Sequence, residues 1–285
     1  MTGRLISGSL LLAAIVAGSF PDAQRENPAL IISGYRVLAA DFHVHMHPMS
    51  WSTLAPWDTV IEARRQGLDA FAMAGQNVVW PGTIGRWFSR RVGGPTVLMS
   101  EEIHTPRYHM IAVGIESAID WRRTAAEAIV EIHGQGGIAI AAHPIAEYWP
   151  GWDAAAMANL DAAEIVHPII YEQPDRYPQL QEFYGRKRLT AIGSSDYHGT
   201  GSIGTCRTYV FAKENTEQGI LEALRAGRTA VYDHQGRAYG DPDLIRLAAG
   251  SLPRPEGAPP PTALNIFSRI SGVLGLVGLI AFGFR

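Results

Sequence analysis

The sequence predicts an α/β protein built on a parallel sheet, and three observations lead there. Short apolar runs alternate with helical patterns from Tyr35 to about His234, the pattern of βαβ units. GIAIAA, residues 137 to 142, is continuously apolar, as suits a strand covered on both faces. His, Asp and Glu residues recur just after the apolar runs, where such folds carry their functional groups.

Taken in order, YRVLAADF (35–42) reads as the first strand. DTVIEARRQG (58–67) reads as a helix, with Gly67 at the position that favours a left-handed residue. LDAFAMAG, PTVLMS and YHMIAVGI supply three more strands. TAAEAIVEIHGQG follows as a helix with apolar residues at helical spacing, then GIAIAA as a strand. DAAEIV, RLTAIGS and RTYVFA read as strands, and NTEQGILEALRAGR as a last helix. The 200-odd residues from 35 to 234 are short for an eight-unit barrel and suit a smaller one. Residues 21–34 read as a linker, and 235–262, rich in Gly and Pro, as another.

The chain has 285 residues, of which 47% are hydrophobic, enough for one sizeable core. A formal net charge of −3 opposes bulk electrostatic binding of nucleic acid. The single cysteine, Cys206, rules out an intrachain disulfide and a multi-cysteine zinc site. Any metal must be held mainly by His, Asp and Glu.

Both flanks of the predicted barrel are apolar. Residues 1–20 place Arg4 before LISGSLLLAAIVAGSF, the pattern of a signal peptide or an uncleaved signal anchor. Residues 263–285 hold an uncharged run from Ile270 to Phe284, with Gly272, Gly275 and Gly278 suited to close helix packing in a membrane. Arg4 and Arg285 at the outer ends put those ends in the cytoplasm by the positive-inside rule. The expected location of the barrel is therefore extracytoplasmic and membrane-anchored.

The stretch DFHVHMHP (41–48) ends the first strand with His43 and His45, two apart and so on one face of an extended chain. Glu101 and Glu102 follow the third strand, His109 begins the fourth, and His143 follows GIAIAA. Glu164 lies within DAAEIV, and Asp196 and His198 follow RLTAIGS. Imidazoles and carboxylates in this number suit Zn, Mn or Fe.

In these motifs the sequence resembles the polymerase and histidinol phosphatase (PHP) superfamily of metal-dependent hydrolases. The resemblance rests on Asp41-Phe-His-Val-His45, Glu102 in SEEIHTP, His109 in HMIAVGI, His143 in AAHP, and Ser195-Asp-Tyr-His198. RTYVF…ILEALRAGRTAVY resembles the end of extracytoplasmic, carbaryl-hydrolase-like members. The resemblance implies a distorted seven-stranded (β/α)7 barrel. It implies one divalent cation held by His43, His45, Glu102 and Asp196, and a second by Glu102, His109 and His143. Glu101 is the alternative carboxylate to Glu102. His198 would belong to a third position, which is weakened because Gly75-Gln76-Asn77 stands where the family often has Asp-His-Asn. His47 is a candidate substitute there.

A metal-dependent phosphoesterase follows as the leading expectation, with a hydroxide bridging two cations as nucleophile. A carboxyl- or carbamate-ester hydrolase of the same fold is the alternative, and a binding or scaffold protein without catalysis is a third. His198, if not bound to a metal, is the candidate to protonate the leaving group, since an imidazole suits that task. Arg207 is the candidate clamp for an anionic substrate oxygen. The expected partners are a small anionic ester and a membrane. Trp51, Trp80, Trp87, Trp149 and Trp152 all follow strands, with Arg86, Arg90 and Arg91 nearby, and predict an aromatic, basic mouth. His104 reads as a loop residue, and His167 as a residue behind the ligands.

Overall fold

The computed structural model describes residues 2–20, 29–252 and 260–283. Its eleven strands are β1 (Ile31–Ile32), β2 (Tyr35–Val44), β3 (Ala70–Gln76), β4 (Thr96–His104), β5 (His109–Val113), β6 (Ile138–Ala141), β7 (Ala162–Val166), β8 (Thr190–Gly193), β9 (Thr208–Ala212), β10 (Thr229–Tyr232) and β11 (Ala238–Gly240). They form one sheet in the order β11-β10-β9-β2-β3-β4-β5-β6-β7-β8, with β1 paired to β2 beside that path.

The expected parallel, seven-stranded barrel is corrected in count and direction. β2–β3–β4 and β6–β7–β8 are parallel, whereas β5 is antiparallel to both its neighbours and β9 to both of its own. Only residues 105–108 separate β4 from β5, too few for a crossover helix. Thr105 closes this turn: its Oγ1 accepts from the N–H groups of Arg107 and Tyr108 and donates to the Tyr108 carbonyl.

The curled sheet is closed by side chains where the ladder stops. Thr208 Oγ1 on β9 donates to the Gly193 carbonyl (2.9 Å) and accepts from the Gly193 N–H (2.8 Å) on β8. Thr229 Oγ1 on β10 donates to the Ala191 carbonyl at 2.9 Å. A central apolar cluster joins Leu38, Ala40 and Phe42 to Ala72, Leu98, Ile111, Ile140 and Val210. Helix α8 (Glu217–Arg225) adds Ile220, Leu221 and Leu224 to it, its first turn capped by Thr216 Oγ1 on the Gly219 N–H.

Helices α2 (Pro56–Arg65), α3 (Trp80–Val92), α4 (Ala125–Gly134), α5 (Ala154–Asn159), α6 (Ile169–Glu172) and α7 (Tyr177–Gly185) join the strands. Helix α4 begins with a reciprocal Thr124–Glu127 capping box. Parts of both expected linkers are structured: β1 pairs with β2, β11 with β10, and α9 (Pro242–Ala248) buries Leu244 and Ala248. The remaining linker residues 21–28 and 253–259 lie outside the described residues.

Helices α1 (Thr2–Gly18) and α10 (Ala263–Gly283) pack side by side and antiparallel. Ser7 lies against Gly278, Leu11 against Gly275 and Ala14 against Ser268. A Cβ at Gly278 would stand 2.2 Å from Ser7 Oγ, so the small-residue positions of α10 are what let the helices approach. Among the described residues one helix, α10, is long and apolar enough to cross a membrane; α1 is shorter.

Candidate metal centre

The carboxyl end of β2 is joined to the segment after β8. The His45 N–H donates to the Tyr197 carbonyl, the Tyr197 N–H to the His43 carbonyl, and Val44 and Tyr197 form a parallel bridge. Asp41 adds a side-chain tie, accepting from the N–H groups of His43, Ser195 and Gly204 at 3.1, 3.1 and 2.7 Å. Burial pushes its carboxyl up, against those hydrogen bonds. Asp41 thus positions two ligand-bearing segments, a role that no local pattern signals.

The register of β2 against β3 shifts between Asp41 and Val44, and that of β7 against β8 between Glu164 and Val166. Such irregularities re-aim side chains. Leu38, Ala40 and Phe42 face the central cluster, yet His43 and His45, one residue out of phase, both reach the same site. On β4 the alternation is regular: Leu98 and Glu102 share a side, and Glu101 turns away to accept from the Ile119 N–H at 2.6 Å. Glu102 is therefore the carboxylate at the centre. Burial raises Glu101 to about 7.

Two carboxylates organise the cluster. Glu102 Oε1 lies 3.0 Å from His109 Nδ1, 3.5 Å from His143 Nε2 and 3.7 Å from His43 Nε2. Its Oε2 lies 3.5 Å from His45 Nε2. Asp196 Oδ1 is 3.1 Å from both His43 Nε2 and His45 Nε2, and 3.3 Å from His198 Nδ1. All the residues that the resemblance assigned to the cations thus converge, and all are buried except Asp196 and His198, which are partly exposed. His143 and Asp196 adopt φ of +27° and +45°, conformations that the surrounding structure must enforce.

The donor set fits divalent cations. His43 and His45 point Nε2 at Nε2 across 3.0 Å, a contact that two imidazoles gain little from unless a shared ligand lies beside them. Asp196 Oδ1 and His109 Nδ1 are buried without a satisfactory hydrogen bond, which is costly unless a cation takes their lone pairs. Three groups bring their ligand atoms within 4.8 Å of one another around this centre: His43–His45–Glu102, His43–His143–His167–Asp196 and His45–Asp196–His198. A fourth joins Glu102 and His109 to His104, which ends β4 rather than lying in a loop. Asn77 holds it there, accepting from the His104 N–H and donating to its carbonyl. His47 belongs to none of these groups.

Charge is compensated inside the cluster. Burial would raise Glu102, but the imidazoles of His104, His109, His143 and His43 facing it hold its carboxyl well below the usual range. Asp196 is likewise held down, chiefly by the charge of His43 against the effect of burial. Glu164 is held at about 2, with His43 the main cause opposing burial. It accepts from His43 Nδ1 at 3.0 Å and from the His143 N–H at 2.6 Å, so it orients two ligands from behind.

His167 and His198 differ in a decisive hydrogen bond. His198 Nδ1 donates to the Asp196 carbonyl at 2.8 Å, leaving the Nε2 lone pair to meet a ligand. His167 Nδ1 accepts from the Ile169 N–H at 3.1 Å, which places the ring proton of the neutral form on Nε2. That Nε2 is buried, 3.3 Å from Asp196 Oδ2. In that tautomer His167 presents an N–H rather than a lone pair to Asp196, although its distances alone would admit it as a ligand.

Arg207, expected to clamp substrate, is buried with Nε donating to the Gly204 carbonyl and Nη2 to that of Gln66. This geometry fixes the loop after Asp196. The aromatic, basic mouth also contracts. Trp152 is buried beside Tyr108 and Phe183, Trp149 donates to the Pro144 carbonyl under Arg186, and Arg86 pairs with Glu217 and Glu116. Trp51, in the loop after His45, is 94% exposed.

Residues 179–229 match the PHP-associated family. A two-domain protein from Bacteroides vulgatus containing a predicted PHP-like metal-dependent phosphoesterase is 27% identical, with a TM-score of 0.62 over 79% of this chain and 73% of that one. A putative metal-dependent phosphoesterase from Bifidobacterium adolescentis is 18% identical, with a TM-score of 0.49 over 70% and 98% of the two chains. An amidohydrolase from Chromobacterium violaceum is 15% identical, with a TM-score of 0.47 over 58% and 89%. No curated protein matches the chain. The family match falls on the segment that runs from α7 to β10 and carries Asp196 and His198, and together with the Bacteroides vulgatus likeness over 79% of the chain it supports membership of the PHP superfamily.

Proposed function

We propose that the protein is a metal-dependent hydrolase and that its reaction is phosphoester hydrolysis. The observation that carries this reading is the position of Glu102 between two donor groups, His43–His45–Asp196 on one side and His109–His143 on the other. Divalent cations bound in these groups, of the Zn, Mn or Fe class, would supply an activated water and neutralise charge on the reacting oxygens. Glu102 would be shared by both. Asp41 and Glu164 keep the ligand-bearing backbone and rings in place. His167 presents its Nε2–H to Asp196, and His198, partly exposed, keeps its Nε2 lone pair free of the Nδ1 hydrogen bond. The metal-dependent hydrolase reading also draws support from the phosphoesterase named in the Bacteroides vulgatus structure.

The further reading is of a barrel held at a membrane on the extracytoplasmic side by its apolar helices. The test of function is elemental analysis of the purified chain, with parallel assays on aryl phosphates and aryl carboxylates. About two cation equivalents and turnover of the phosphate are expected. Turnover of the carboxylate alone would replace phosphoester by carboxyl-ester chemistry. Failure to bind Zn or Mn would reject the hydrolase.

A further inference from the structure

The direction in which the terminal helices leave the barrel bears on what the metal centre meets. Helix α2 begins beside the loop that follows His45, so its amino end lies at the mouth and its carboxyl end at the far side of the barrel. Helix α10 runs antiparallel to it. Ser268 Oγ donates to Asp58 at 2.6 Å and Arg269 donates to Glu62. One turn further on, Gly272 lies against Trp57 and Ala55, at the start of α2. Beyond that point, α10 and the first part of α1 continue past the amino end of α2, on the side of the metal centre. Their tip is tied by Arg4 Nε donating to the Phe282 carbonyl at 2.7 Å.

The outer surface of this hairpin is apolar: Leu5, Ile6, Leu12, Ile270, Leu274, Val277 and Ile280 are about half exposed or more. From Ile270 to Phe282 the helix axis measures only about 20 Å, against about 30 Å of bilayer hydrocarbon. The apolar surface does not stop at the junction, for Leu264, Ile266 and Phe267 are also about half exposed. A hairpin this short matches a bilayer only if the docked barrel is drawn against the headgroups. The loop from His47 to Ala55 is the part that would meet them. It touches Gly199, next to His198, on one side and Gly272 on the other, and it presents Trp51 almost fully exposed. Tryptophan is the residue that favours headgroup depth.

We infer that α1 and α10 enter the bilayer as one hairpin, that the mouth of the metal centre faces the membrane surface, and that the substrate is a phosphoester borne by a bilayer lipid. The substrate class rests on the hydrolase reading above; the orientation does not. A second copy of the chain, the other apolar partner, would cover the hairpin without bringing Trp51 to lipid.

The test uses the full chain in phosphatidylcholine nanodiscs. W51C is labelled with a fluorescent probe, and K213C, at the opposite end of the barrel, serves as the control; the native Cys206 is buried. Lipids with a spin label at headgroup depth should quench the probe at 51 and leave that at 213 unaffected. Equal or absent quenching at 51 overturns the orientation. Mn-loaded chain in discs that also contain phosphatidic acid should release phosphate about tenfold faster than from a soluble aryl phosphate at equal bulk concentration, because substrate and enzyme share the disc. Turnover of the soluble ester without lipid turnover rejects the lipid substrate and leaves the hydrolase standing. Quenching at 51 with no turnover of either ester keeps the orientation and rejects the hydrolase.

Discussion

The metal centre and the junction with the terminal helices both enclose carboxylates, and their surroundings treat them in opposite ways. At the metal centre, Glu102 and Asp196 are held well below the usual carboxylate range because imidazoles ring them. At the junction with the terminal helices, Asp58 is as buried as Glu102, but it meets only the Ser268 hydroxyl, its own helix start and the more distant Arg269, and burial pushes it up to about 7. The first arrangement keeps negative charge ready in a dry cleft, where a cation would be held strongly. The second tolerates a carboxyl by letting it keep its proton, and Glu62 beside it takes the ion pairs with Arg65 and Arg269 instead. Burial alone does not decide what a carboxylate does; the groups facing it do.

Replacing Asp196 attacks the first region most directly. Asp196→Ala removes the oxygen that both His43 and His45 face, and should abolish cation binding at that group and lower turnover by about a thousandfold or more. Elemental analysis and rate measurement check it; full activity with cations retained would place the chemistry elsewhere. The second region is tested by pH. Native Asp58 keeps its proton up to about pH 7, while the unfolded chain releases it near 4. Stability should therefore fall as pH rises from about 4 to about 7, by at most roughly 1.4 kcal/mol per unit from this group, and level off above. Asp58→Asn should remove that slope, seen as thermal midpoints of the two proteins across the range; identical slopes would show that Asp58 is already ionised.

His167→Asn separates ligand from donor within the metal centre. It should keep the cation complement and lower turnover about 10- to 100-fold; loss of a cation equivalent would make His167 a ligand after all. The smallest effect is expected from Arg269→Met, which breaks a partly exposed pair with Glu62 and should cost about 1 kcal/mol. Easier proteolysis between the barrel and α10 would report it, whereas unchanged cleavage would show that Ser268 and the apolar contacts suffice.

Much of the centre was legible in the chain. His43, His45, Glu102, His109, His143, Asp196 and His198 all stand at strand ends, and period-two alternation placed His43 with His45. The same rule failed to choose between Glu101 and Glu102, because it says that neighbours face opposite ways and not which way is inward. It also missed that β5 turns back after four residues, since a hairpin strand and a crossover strand share one apolar pattern. The place of Arg207 and the ring proton of His167 were not legible, because they depend on partners far along the chain or on a single backbone N–H. Gln66 is remote in sequence from Arg207, and Ile169 fixes the proton of His167 from two residues away.

The sequence by itself determined the donor types, their order and the presence of two apolar helices, because these depend on side-chain chemistry and local periodicity. Only the tertiary structure decided that the sheet is mixed and closed by Thr208 and Thr229, that Glu102 lies between two groups of imidazoles, and that the helical hairpin leaves the barrel on the side of its metal centre. Each of these depends on register, packing and proximity between distant segments, which no local pattern encodes.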